Sequence, residues 1–71
     1  MSGRRFVERL NERVKRGGVD FTTLAERTGI ERRRLLRLAR GETKHGPTLD
    51  EVRTLARELT VSPSWLAGAP S

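Results

Sequence analysis

Five arginines stand within residues 31–40, "ERRRLLRLAR": Arg32, Arg33, Arg34, Arg37 and Arg40, against a single acid, Glu31. Lys44 and His45 follow a few positions on. Cations this close together do one kind of chemistry well, which is to hold a polyanion. Wound at about 100° per residue, Leu35, Leu38 and Ala39 share one sector of the segment, joined by Ile30. Arg33, Arg37 and Arg40 project from the opposite side, with Arg32 and Arg34 flanking. A merely solvated face tends to mix signs for i,i+4 pairing, as Glu8 and Glu12 do with Arg9, Arg13 and Arg16. Residues 31–40 do not mix them. Like charges at Arg33/Arg37 and along 32–34 repel by about 0.2–0.5 kcal/mol per pair, and the helix macrodipole disfavours cations near an N-terminus. A sequence that tolerates this points to an anionic partner.

Other chemistry is poorly supplied. The chain has 71 residues, enough for one domain over 1–71 and near the lower limit for folding without staples. With no cysteine there is no disulfide, no thiolate metal site and no thiol nucleophile, which fits a reducing cytoplasm. One histidine cannot build a metal cluster. No paired carboxylates, nucleophile–base set or phosphate loop is found. The expectation is a protein that is not an enzyme, with no cofactor, no metal and no small-molecule substrate; a chain this small is not expected to hold a ligand pocket. No apolar run approaches the roughly 18 residues of a membrane span, and the N-terminus lacks a signal-peptide apolar region. The net charge of +6 favours nucleic acid over an anionic membrane surface, because the basic segment 4–16 has a modest apolar face and too many acids for membrane binding. Phe6, Phe21 and Trp65 are too few for the stacking platforms of single-strand readers.

The elements that must position the arginines are short helices. Phe6, Val7, Leu10 and Val14 mark one face of a helix over 4–16, stopped by Gly17-Gly18. Asp20 is an N-cap for a second helix with Leu24 and Ala25 inward, ended by Gly29. The arginine helix follows after a tight turn and closes at Gly41. Residues 42–47 form a polar connector, and Thr48 with Glu51 reads as a capping box. Leu49, Val52, Leu55, Ala56 and Leu59 supply the buried stripe of a fourth helix. Ser62-Pro63 opens a short fifth helix carrying Trp65 and Leu66, with Gly68 and Pro70 at its end. No strand pattern, repeat or low-complexity segment is present, so the fold expected is all-α with five short helices.

Residues 21–41, "FTTLAERTGIERRRLLRLARG", set Leu24-Ala25, then Gly29-Ile30, then Leu35 and Leu38 before Gly41. This resembles the helix-turn-helix of phage repressor and Cro-like regulators, the Xre-type family. The polar loop ending in Pro47 and the pair of helices over 48–68 are similar too, so the resemblance covers about residues 6–68. It implies a compact five-helix bundle of the phage-repressor-like type that binds double-stranded operator DNA as a homodimer on a palindrome, with helix 31–40 in the major groove. Carried over by position, Arg32, Arg33 and Arg37 fall at the family's base-reading places, with Arg34 a fourth. Arginine forks onto guanine O6 and N7, which implies a guanine-rich half-site. Phosphate contacts are implied for Thr22 and Thr23 at the second helix's N-terminus and for Arg40, Thr43, Lys44 and His45 after the recognition helix. Val61, Pro63 and Trp65 fall where related repressors make their dimer contact; a core anchor is the competing role for Trp65. Leu36, on the flank, is expected to pack on the first motif helix, with a thymine methyl as the alternative contact.

Several residues depart from the family pattern. Phe21 stands where a glutamine often opens the second helix. Ala39 stands where a glutamate often pairs with an arginine of the first helix, and Glu31 replaces the usual Ser/Thr cap. The connector around Gly17-Gly18 looks longer than typical. The competing function class is a helix-turn-helix adaptor that binds protein and meets nucleic acid only non-specifically; it requires an exposed apolar patch.

Overall fold

The computed structural model describes residues 3–70; residues 1, 2 and 71 of the expected 1–71 domain lie outside the described residues. The described residues form five helices and no strand: α1 (Gly3–Gly17), α2 (Phe21–Thr28), α3 (Arg32–Arg40), α4 (Leu49–Leu59) and α5 (Pro63–Ala67). Phe6, Leu10 and Val14 recur at helical spacing and all three are buried, which fixes the face that α1 turns inward. They meet Leu24 of α2, Leu35, Leu38 and Ala39 of α3, Val52, Leu55, Ala56 and Leu59 of α4, and Leu66 of α5 in one core. α1 packs against α3, α4 and α5, while α2 packs against α3 and α4. The connector from α1 to α2 is short, residues 18–20, and does not set α1 apart from the bundle.

The caps follow local chemistry. The Asp20 carboxylate accepts from Thr23 N at 2.8 Å and starts α2. Thr48 and Glu51 complete a reciprocal box at α4: Thr48 N donates to Glu51 Oε1 at 2.8 Å, and Glu51 N donates to Thr48 Oγ1 at 3.1 Å. Ser62 caps α5 with Pro63 in its first turn. Gly41 ends α3 at φ +72°, with Glu42 N donating to Arg37 O at 2.9 Å, the six-to-one closure of a Schellman motif. α4 closes the same way at Thr60, whose φ of 60° makes it the non-glycine residue with left-handed backbone among the described residues.

One expectation fails. Leu49 falls in phase with the α4 stripe but is 64% exposed. It is the first residue of α4 and lines an open groove beside Val7 and Val52 instead of packing into the core. Periodicity gives the face; it does not supply a neighbour at the end of that face.

Candidate nucleic-acid interface

α2, the turn at Gly29 and α3 place the arginine helix on the surface. Leu35, Leu38 and Ala39 anchor α3 while Arg32, Arg33, Arg37 and Arg40 are exposed. Arg33, Arg37 and Arg40 make no side-chain hydrogen bond or ion pair with another described residue. Arg32 is tethered through one donor, Nε to Thr22 Oγ1 at 3.0 Å, which fixes the side chain against the start of α2 and leaves its terminal nitrogens uncommitted. Thr43 is half-buried, and Lys44 and His45 are exposed in the α3–α4 loop.

Arg34 is placed differently. Its Nε donates to Glu51 Oε2 and its Nη2 to Glu51 Oε1, both at 2.9 Å, and Nη2 also donates to Gly46 O at 3.2 Å. The pair is half-buried, with side-chain exposures of 33% and 17%. The Arg34 hydrogen bond is the chief reason that the Glu51 carboxyl sits below its ordinary range, against the opposing effect of burial. The same contact raises the Arg34 guanidinium above its usual value. The N-terminus of α2 also carries its own anion. Hydrogen bonds from Thr23 hold the Asp20 carboxyl below its ordinary range, with Arg32 adding a smaller attraction. A phosphate approaching Thr22 and Thr23 therefore meets a carboxylate already seated on one of the free amides.

The basic residues of α1 are largely taken up within the fold. Arg5 Nη1 donates to Gly68 O at 3.1 Å, and Arg9 Nη1 donates to Trp65 O and, at 2.7 Å, to Ala69 O. Arg13 Nη2 donates to Leu59 O at 3.2 Å. These three arginines, one turn apart, reach carbonyls at or just past the ends of α4 and α5; Trp65 O also accepts from Gly68 N at 3.0 Å. The Arg9 guanidinium also lies over the Trp65 ring, 4.7 Å from its centroid. Arg4 and Arg16 face Glu8 and Glu12 at 3.5 Å in exposed i,i+4 pairs. Among the described residues the densest set of exposed cations without a full set of partners is on α3 and its following loop, Arg32, Arg33, Arg37, Arg40 and Lys44, while Lys15, Arg27, Arg53 and Arg57 are exposed on other elements.

Sequence reasoning missed Asn11. Its Nδ2 donates to Val7 O and to Ala39 O, each at 2.8 Å, and so ties α1 to the end of α3. With Ala39 in place of an acid, the link between these helices runs to the backbone instead of to a side chain. It also missed the partner of Arg34. A signal existed: the arginine helix holds no acid within its own span, so any counter-charge had to come from another element, and Glu51 was already placed at the start of α4.

Val61 and Trp65 are half-buried and pack against the core, whereas Pro63 is exposed. Phe21 packs on the core as well. Leu36 is half-buried on the flank of α3. An open groove, not an enclosed cavity, runs between α1, the α3–α4 loop and the start of α4, lined by Val7, Leu49 and Val52 together with Arg40, Lys44 and His45. No group of metal-binding side chains occurs among the described residues, and no helix there is long and apolar enough to cross a membrane.

A family model described as the Cro/C1-type HTH DNA-binding domain matches residues 9–68. No curated protein and no solved structure matches the chain.

Proposed function

The chain belongs to the Cro/C1-type helix-turn-helix DNA-binding family, and from that premise we propose that it is a sequence-specific regulator, a repressor that occupies a palindromic operator as a dimer. In this reading α3 enters the major groove and Arg33 and Arg37 read base edges, with Arg32 beside them. The observation that carries it is the exposed, unpaired state of Arg33 and Arg37 on a helix whose other face is fixed by Leu35 and Leu38. An unpaired guanidinium keeps its planar donor fork for guanine O6 and N7. Thr43, Lys44, His45 and Arg40 then hold phosphates on one side of the groove, and Thr22 and Thr23 do so on the other, weakened by Asp20. Val61 and Pro63 provide the dimer contact; Trp65, pinned by Arg9, contributes chiefly by keeping α5 in place. In this reading the regulator acts on its DNA in the cytoplasm and calls on no cofactor.

Binding-site selection from random duplex DNA at about 0.15 M salt tests this. The expected product is an inverted repeat with guanine-rich half-sites whose centres lie about 34 Å apart. Recovery of A·T-rich half-sites would remove the arginine–guanine assignment. Weak binding without sequence preference would favour the adaptor reading, for which Leu49 is the exposed large apolar side chain among the described residues.

A further inference from the structure

Residues 43–47 carry three of the proposed phosphate contacts, and although Thr43, Gly46 and Pro47 are half-buried, few hydrogen bonds hold the stretch. On one side Glu42 is closed onto Arg37 O, and on the other Thr48 is locked into the capping box of α4. Between them, among the described residues, one hydrogen bond joins the stretch to the rest of the molecule: Arg34 Nη2 to Gly46 O. The same guanidinium is clamped by both oxygens of Glu51. Glu51 Oε1 in turn accepts from Thr48 N. One planar cation thus connects the recognition helix, the loop and the first turn of α4.

We infer that Arg34 is a positioning residue for DNA recognition: braced by Glu51, it sets the 43–47 loop so that the loop's phosphate contacts stay in register with the base-reading face of α3. The inference rests on the DNA-binding reading above. Arginine reads guanine with two neighbouring N–H donors. Nη2 belongs to both donor forks of the guanidinium, and both of its hydrogens are committed, one to Glu51 and one to Gly46. Arg34 therefore has no free fork for a base while the brace holds. Phosphate contacts fix the orientation from which base contacts are made. A loose support under them costs specificity even when every contacting residue is intact.

The test compares wild type, Arg34→Met, Glu51→Gln and the double variant on two duplexes, the selected site and a scrambled sequence of equal length. Any loss of folded protein weakens both duplexes alike, so the ratio of the two affinities is the quantity to read. Thermal unfolding of each variant accompanies it. Both single variants should lower the ratio about tenfold, and the double variant should lower it no further than either single one. Glu51→Gln is the sharper probe, because it removes an acid and simple electrostatics would tighten binding to both duplexes. Heteronuclear NOEs of the Lys44 and His45 amides should fall in both single variants. An unchanged ratio in Glu51→Gln would overturn the inference. So would a further loss when Arg34→Met is added to Glu51→Gln, which would place Arg34 on the DNA itself. A wild type that does not discriminate between the duplexes would instead remove the reading on which the inference stands.

Discussion

Arg33 and Arg34 are adjacent in sequence, and on a helix adjacent side chains point about 100° apart. That rotation is enough to leave Arg33 in solvent and carry Arg34 onto Glu51. Residue type and local spacing made the whole cluster legible as a basic surface, but they could not divide it, because the dividing residue lies seventeen positions away on another helix. The same limit applies to Arg5, Arg9 and Arg13, whose spacing marks a helix face while their partners are carbonyls near the end of the chain. The Arg34–Glu51 pair has a pH signature. The carboxyl of Glu51 titrates lower in the folded chain than in the unfolded one, so its stabilisation is complete above the unfolded value and is lost as pH falls through the depressed value. Urea unfolding between pH 7 and 3 should therefore show wild type losing stability on acidification faster than Glu51→Gln, with the gap between them closing toward the acid end. Parallel curves would mean that the pair contributes nothing to folding.

At the scale of elements, the starts and stops of the helices were the most legible part of the fold. Asp20, Thr48 with Glu51, Ser62 with Pro63, and Gly41 act through neighbours within a few residues, so their chemistry is written where it operates. Two element-level features were not legible. Leu49 keeps the period of α4 but lacks a covering neighbour, and Thr60 closes α4 in a conformation that its β-branched side chain disfavours. The second makes a prediction. Thr60→Gly should raise stability by about 1 kcal/mol in denaturant titration, since glycine adopts this backbone without strain and the hydroxyl makes no hydrogen bond to the described residues. DNA affinity should not change. A loss of stability would show that the cost of glycine in the unfolded chain outweighs the strain relieved.

For the molecule as a whole, the excess of cations was plain from composition, but its distribution was not. Folding draws Arg5, Arg9 and Arg13 onto backbone carbonyls and sets Arg4 and Arg16 beside acids; among the described residues it leaves Arg33, Arg37, Arg40 and Lys44 unpaired together on one helix and its loop, with Lys15, Arg27, Arg53 and Arg57 scattered over other elements. The bundle is small, with extents of 28 × 25 × 20 Å, so a single helix face is a large part of what it can offer a partner. In the proposed function Arg33 and Arg37 on this face read bases. The most direct test is the affinity of Arg33→Ala and Arg37→Ala for the selected and scrambled duplexes over a range of salt. Each variant should lose about 1–3 kcal/mol on the selected duplex and much less on the scrambled one, so that discrimination falls. Equal weakening on both duplexes, with the salt slope reduced by about one and discrimination intact, would make these arginines phosphate contacts and contradict the account.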